Sequence, residues 1–451
     1  MARIALVSLG CPKNRVDSDT LLEGLVKEGF QLTPEAQDAD FIFVNTCGFI
    51  EDAKRESIEE ILRLRDMKKK GKKLLVFGCL AQRYRDDLLK EIPEIDGLWG
   101  VGEDEKIIEY CKKVISSQRS AINRKKTGSR QPTGLFQRSA DPYSYLKIAD
   151  GCNRGCTFCV IPSIRGSFRS GNPAAILRKA EQHIASGARE LVLVAQDIGS
   201  YGKELEGYGL PSLLKDLASI SGDFWVRLLY LYPTSITDEL LSVIAQEKKI
   251  CNYLDIPLQH SEDSVLKAMG RGGTKDWYRS EIRKIREAVP DVILRTTFIV
   301  GFPGETDEQF RGLREFIQEM RFERLGVFTY SKEEGTPASR LKGAVPRKVK
   351  EERRDEIMRL QSRISLDHNR ALIDRRFRAL VDEVEGSVAV ARLSSQAPEI
   401  DGVVIIENEE GAVRPGDFVQ VEIVDAYDYD LKGIVVGSDA APAFLKRKVK
   451  N

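Results

Sequence analysis

The sequence predicts a multidomain α/β protein: an N-terminal parallel α/β sheet domain, a partial (β/α)6 barrel, and a C-terminal five-stranded β-barrel of OB-like type. Three observations carry this. Short apolar runs alternate with amphipathic stretches from residue 1 to about 118, as in a parallel sheet crossed by helices. A second alternation of this kind fills 141–345. Past 377 the helical periodicity stops, and short β-patterned runs separated by Gly and Pro turns take over.

Length and composition set the outer limits. A chain of 451 residues has room for roughly two to four cores. Lys and Arg number 70 against 69 Asp and Glu, so the overall charge selects no partner. Eight cysteines are too few for a disulfide scaffold in a chain this long. Six of them fall in two sets with the look of metal ligands, which points to a reducing compartment; Cys111 and Cys251 read as ordinary buried thiols. The apolar run at 4–9 is too short for a signal peptide, and no run approaches the ~20 residues of a membrane span. A cytoplasmic protein without membrane contact is expected.

In the first domain, strands are expected at 4–7, 41–44 and 74–77, with helices at 16–27, 51–69 and 81–91. A cysteine follows each strand: Cys11 after Leu9-Gly10, Cys47 after Asn45-Thr46, and Cys79 after Phe77-Gly78. Open parallel sheets bind ligands beyond the carboxyl ends of their strands. Three thiols distant in sequence are thus expected in one crevice; the plainer alternative is three unrelated core cysteines. Residues 119–140 are rich in Arg and Lys without a single acid before Asp141, and read as an interdomain linker.

The second domain should carry strands at 145–148, 191–194, 226–229, 253–256, 293–300 and 325–330. Six units fall short of the ~250 residues typical of a closed eightfold barrel, so an open six-stranded one fits better. Directly after the first strand comes Cys152-Asn153-Arg154-Gly155-Cys156-Thr157-Phe158-Cys159, a C-x3-C-x2-C spacing at the face where barrel chemistry belongs. A 4Fe–4S cluster normally takes four thiolates, and three leave one iron open to a cofactor or substrate. A structural zinc site would close with a fourth ligand, but His183 and Cys251 lie far along the chain. Other polar residues at strand ends are Gln196 and Asp197 after the second strand, Asp255 at the fourth and Arg295 in the fifth. The run Gly301-Phe302-Pro303-Gly304-Glu305 ends the fifth.

A charged stretch, 346–376, has Ile357, Leu360 and Ile364 at helical spacing and predicts a connector helix. Strands are then expected at 378–384, 388–392, 402–406, 418–426 and 431–436, in a domain ending near 440 before a basic tail, 441–451. Between 379 and 439 fourteen acids face three bases. Nucleic-acid binding depends on cations neutralising phosphates, so this domain should disfavour tRNA and attract a basic protein.

The cysteine loop resembles the signature of the radical S-adenosylmethionine (SAM) enzymes. The order of a three-cysteine α/β domain, a radical SAM barrel and a five-stranded β domain (TRAM) is similar to that of the methylthiotransferases, from about residue 4 to 440. Ser8-Leu9-Gly10-Cys11-Pro12-Lys13-Asn14-Arg15-Val16-Asp17-Ser18 and Asp255-Ile256-Pro257-Leu258-Gln259-His260-Ser261 resemble the branch that modifies a ribosomal protein. One departure is Asp19, where that branch's pattern suggests Glu. The resemblance implies two 4Fe–4S clusters, one on Cys11, Cys47 and Cys79 and one on Cys152, Cys156 and Cys159. It implies SAM as cofactor, with Phe158, Gln196, Asp197, Asp255, Arg295, Gly301 and Pro303 as candidate contacts. The implied reaction is β-methylthiolation of an aspartate in small-subunit ribosomal protein S-twelve, with electrons from a donor such as flavodoxin or ferredoxin. The same chemistry on a tRNA adenosine is the alternative; a non-catalytic, cluster-bearing RNA-binding module is a third reading.

Overall fold

The computed structural model describes residues 1–69, 71–121, 141–408 and 413–438. A helix runs on to Ala121, into the expected linker; the rest of the linker, 122–140, the tail and the acids Glu409, Glu410 and Asp439 lie outside these residues.

The first sheet contains β1 (Arg3–Ser8), β2 (Gln31–Leu32), β3 (Phe41–Thr46), β4 (Lys73–Gly78) and β5 (Gly97–Trp99), all parallel, in the order β2-β1-β3-β4-β5. The short strands β2 and β5 lack a readable periodicity in sequence. Phe41–Thr46 is buried at every position, as expected of a central strand covered on both faces. In this order the connections reverse direction between β1 and β3, which opens a crevice at their carboxyl ends. Helix α1 (Pro12–Lys27) begins four residues earlier than its apolar periodicity predicts, because Pro12 pre-sets the backbone of the first helical turn.

The second sheet has six parallel strands: β6 (Tyr143–Lys147), β9 (Glu190–Val194), β10 (Trp225–Leu228), β11 (Ile250–Asp255), β12 (Ile293–Val300) and β13 (Arg324–Thr329), in the order β13-β12-β11-β10-β9-β6. Two short strands, β7 (Ala149–Asp150) and β8 (Arg169–Ser170), pair antiparallel and clamp the base of the cysteine loop. Outward-facing residues such as Leu191, Leu193, Val226, Leu254 and Leu294 form the main core with the surrounding helices. Inward-facing Tyr145, Val192, Leu229 and Tyr253 instead join a second cluster with Val16 of α1 and with Leu380, Ala397 and Phe418. The open barrel is thus filled by its two neighbouring domains.

The connector helix runs from Arg347 to Arg370 and packs on β13. Beyond it β14 (Arg376–Glu385), β15 (Val388–Leu393), β16 (Val404–Glu407), β17 (Phe418–Ala426) and β18 (Leu431–Ser438) close into a barrel. This barrel meets the second domain through a T-shaped contact of Trp225 with Phe418 at 4.9 Å. Beside it Glu190 accepts from Arg227 Nε at 2.5 Å and from Arg392 Nη1 at 2.6 Å. Burial disfavours the Glu190 charge, but the two guanidiniums prevail and hold its pKa below the usual range. The acidity of the last domain is partly spent inside the molecule: Asp382 pairs with Arg392, Glu399 with Arg15, Glu407 with Lys432 and Glu422 with Arg376, while Asp401 accepts from Tyr253. The fourteen acids are therefore not all docking surface. Replacing Glu190 by Ala leaves Arg227 without a carboxylate in full burial, and should lower unfolding stability by roughly 3–5 kcal/mol in denaturant titrations.

Candidate functional site

Three turns bring the N-terminal thiols together. Gly10 and Gly78 precede Cys11 and Cys79 with φ of +89° and +102°. A Cβ on Gly10 would lie 2.7 Å from Cys47 Cβ, so the turns after β1 and β3 touch. Asn14, fully buried, sits among the thiols. Its Nδ2 donates to the carbonyls of Leu9 and Thr46, and its Oδ1 lies 3.9 Å from Cys11 Sγ and 3.6 Å from Cys79 Sγ. Burial pushes the Cys47 thiol up to about 12, and it raises Cys79 as well. These buried thiols need compensating positive charge to ionise, which a metal centre supplies.

The second triad occupies the loop after β7. Cys152 N donates to Gly166 O, and Thr157 ties the far side of the loop to Met269 O and Ala268 O. Gly270, at φ +66°, lies so close that a Cβ there would collide with the Gly155 carbonyl. Two arginines flank the thiols. Arg154 N donates to Cys152 Sγ at 3.4 Å, and Arg271 Nη1 to Cys156 Sγ at 3.6 Å. Both guanidiniums pack on the Tyr232 ring, 3.9 and 4.1 Å from its centre. Burial raises Cys152, and lifts Cys159 to about 12. Among the described residues, no three His, Cys, Asp or Glu stand close enough to hold a single metal ion. A multi-iron cluster spans a wider set of thiols than one ion does, and three thiols per triad match its donor chemistry.

A single side chain ties the segment after the second triad to the first triad. Arg165 lies in a short helix, Ile161–Arg165, just past the second triad. Its Nη2 donates to Asn14 Oδ1 at 2.9 Å, to Asp17 Oδ2 at 2.8 Å and to Cys79 Sγ at 3.6 Å. Its Nη1 lies 3.2 Å from both Asp150 oxygens. Lys147 donates to the same Asp17 and Asp150 at 2.5 and 3.1 Å. Burial disfavours charge on Arg165, yet Asp17, Cys79 and Asp150 together raise its pKa. Cys79 also packs against Val160, the neighbour of Cys159.

The candidate cofactor contacts separate into groups. Gln196 has both amide atoms buried without a partner, as expected of a residue that awaits a ligand. Asp197 is committed: it takes Arg154 Nε and Ser200 Oγ at 2.8 Å each, and Tyr232 N. Phe158 packs with Val265, Met269, Phe302 and Tyr330 beside the loop. Asp255 and Arg295 do not face the barrel mouth together as free groups. They lie 3.6 Å apart, Asp255 takes Tyr230 N, and Arg295 reaches Asp401 of the last domain at 3.6 Å. The half-buried Pro303 lies in the turn after β12. The side of Gly301 that lacks a Cβ is filled by the Lys350 stem, because Glu305 pulls the connector helix onto this turn: it accepts from Gly301 N at 2.7 Å, Phe302 N at 3.2 Å and Arg353 Nη1 at 2.7 Å. A bulky residue at 301 therefore disturbs helix packing first. Arg165, Arg154 and Arg271 escape a reading of the sequence because isolated arginines carry no periodicity; proximity to the cysteine loop is the only cue for the first two.

Comparison with known families follows the same division. Residues 3–100 match the uncharacterised protein family UPF0004, 146–317 the radical SAM superfamily and 373–436 the TRAM domain. The fold is shared with the radical SAM methyltransferase TsrM of Kitasatospora setae (TM-score 0.55, 14% identity, 75% of this chain and 77% of that one). It is shared too with the cobalamin-dependent radical SAM enzyme OxsB (TM-score 0.52, 15% identity, 81% of this chain and 56% of that one). Fold and thiol loop define an enzyme of the radical SAM superfamily that carries a TRAM domain. Relatives named ribosomal protein uS12 methylthiotransferase RimO are far closer in sequence. That of Thermodesulfovibrio yellowstonii is 52% identical over 438 residues, 97% of this chain and 100% of its own length. That of Geobacter sulfurreducens is 44% identical over 447 residues, 96% of this chain and 98% of its own. The chain belongs to the RimO family of methylthiotransferases.

Replacing Arg165 by Met should lower the stability of the metal-free protein by about 3 kcal/mol, since Asp17 and Asp150 then share only Lys147; Lys at 165 should recover part of this. Denaturant unfolding of the three proteins measures it.

Proposed function

We propose that this enzyme methylthiolates the β-carbon of an aspartate in ribosomal protein uS12, the small-subunit protein S-twelve. The observation that carries this reading is the approach of two thiol triads from two different parallel sheets: Arg165, in the helix after Cys159, donates to Cys79 Sγ, and Val160 beside Cys159 packs against Cys79. Cys152, Cys156 and Cys159 would hold one 4Fe–4S cluster, and Cys11, Cys47 and Cys79 the other. With SAM bound at the open iron, the first would supply reductive cleavage to a 5′-deoxyadenosyl radical, and the second would present the methylated sulfur.

The remaining chemistry is the work of this chain's own residues. Arg154 and Arg271 offer N–H groups to the sulfur atoms of the loop and favour their ionised form. The orphaned Gln196 amide is placed to bind the cofactor's polar groups at the end of β9. Tyr232, clasped by the two arginines, and Phe158 shield the loop and exclude water. Arg165, Lys147, Asp17 and Asp150 fix the first domain against the barrel, which sets the distance between the triads. The last domain, acidic as a whole, suits a basic ribosomal protein as docking partner. A reduced flavodoxin or ferredoxin is the expected electron donor.

Anaerobic reconstitution tests the assignment. Wild-type protein should bind iron at both triads. Alanine at Cys152, Cys156 and Cys159 should remove about half the iron and all SAM cleavage, in keeping with three-thiolate ligation of one cluster at each triad. Alanine at Cys11, Cys47 and Cys79 should retain SAM cleavage and lose sulfur insertion into uS12, read by mass spectrometry. Full iron content in the second variant refutes the assignment of the N-terminal triad.

A further inference from the structure

Lys13 stands out among the groups that the preceding reading leaves unused. It follows Cys11 by two residues, is only 9% exposed, and its ammonium has no carboxylate within ion-pair distance among the described residues. Its contacts are a long hydrogen bond to the Ala195 carbonyl at 3.5 Å and the face of the Tyr230 ring, 3.7 Å from the centre. A buried ammonium is normally matched by an anion. It carries three N–H donors, of which the protein takes one, and that one loosely.

The position of this ammonium suits a substrate-binding role. Ala195 and the orphaned Gln196 follow β9 at the barrel mouth, so Lys13 reaches from the first triad to the strand end where the second domain presents its ligand groups. Tyr230 holds the ring beneath it with a left-handed backbone, φ +67°, uncommon for a residue other than glycine. That conformation is pinned on both sides: Tyr230 N donates to Asp255 Oδ2 at 3.1 Å, and Tyr230 O accepts from Ile198 N at 3.1 Å. Such strain persists where the surroundings enforce it, and it gathers at binding sites. Asp255 feels the charge of Lys13 through space, but Arg295 is its ion-pair partner.

We propose that Lys13 recognises a carboxylate, and that this carboxylate is the side chain of the substrate aspartate, held with its β-carbon between the two triads. The inference rests on the assignment of an aspartate in uS12 as the substrate. The β-carbon is bonded to the carboxylate carbon, so a fixed carboxylate leaves the reacting carbon little freedom. The same ammonium selects aspartate over asparagine, whose neutral amide would leave the buried charge unmatched. SAM also carries a carboxylate, and the test separates the two sources.

The experiment uses the full-length, anaerobically reconstituted enzyme as wild type, Lys13→Met and Lys13→Arg, with uS12 and with uS12 in which the target aspartate is asparagine. Dissociation constants for uS12 and for SAM are measured with iron content as control. Lys13→Met should weaken uS12 binding roughly ten- to hundredfold, the range of one charge-assisted contact, with iron and SAM affinity retained. Lys13→Arg should restore most of the binding. The asparagine substrate should bind wild type more weakly, and Lys13→Met no more weakly than it binds the aspartate form, since both changes remove one interaction. If Met at this position disturbs the fold, Lys13→Gln takes its place. Additive losses, or a loss of SAM affinity in place of uS12 affinity, overturn the proposal. A wild-type enzyme that neither binds nor modifies uS12 instead overturns the substrate assignment, and this proposal falls with it.

Discussion

The buried guanidinium of Arg165 is the constraint on which the molecule depends. It is drawn from the barrel domain into the first domain, where it meets Asp17, Asn14 and Cys79, while Asp150 holds its other edge. Removing a charge from water is costly, and this one is tolerated because every N–H group cited has a partner of suitable charge or polarity. The network fixes more than stability. Asn14 belongs to the first turn of α1, which starts directly after Cys11, and Arg165 to the helix that follows Cys159. Any sliding of one domain on the other would break these contacts and change the separation of the triads at once.

The same logic extends outward. The barrel has six strands and an open inner face, which apolar side chains alone would leave exposed. Val16 of the first domain and Phe418 of the last pack into one cluster on that face. Buried charges are arranged in matched sets: Glu190 with two arginines beside this contact, and, in the turn after β12, Glu305 with Arg353 of the connector helix. The run Gly301–Glu305 owes its shape to the Glu305 carboxylate, which gathers two backbone N–H groups and the connector arginine. A motif that looks like a ligand loop is thus also a hinge pin for the helix leading to the last domain.

Much of this was legible in the sequence, for identifiable reasons. Phe41–Thr46 reads as a buried strand because its residues are apolar and β-favouring, and its end points directly to Cys47. The C-x3-C-x2-C loop is local, so its spacing survives without knowledge of the fold. The six barrel strands and five strands of the last domain announce themselves through short apolar runs between turns. Other features depend on contacts between residues far apart in the chain. Arg165 and Asn14 are separated by 151 positions, Arg392 and Glu190 by 202. No periodicity encodes such pairs. The reading of Gly301 missed Lys350 for the same reason, and the count of acids near the C-terminus could not reveal that Glu399 and Asp401 pair with residues of the other domains.

Electron paramagnetic resonance of the fully reduced, reconstituted enzyme tests the central claim most directly. If each triad holds a cluster and the Arg165 network keeps the two close, their spins interact through space. The spectrum of the wild type should then differ from the sum of the spectra of the two single-triad proteins, with broadened or split features that disappear when either triad is removed. A wild-type spectrum equal to that sum would place the centres too far apart to act on one carbon atom, and would contradict the account.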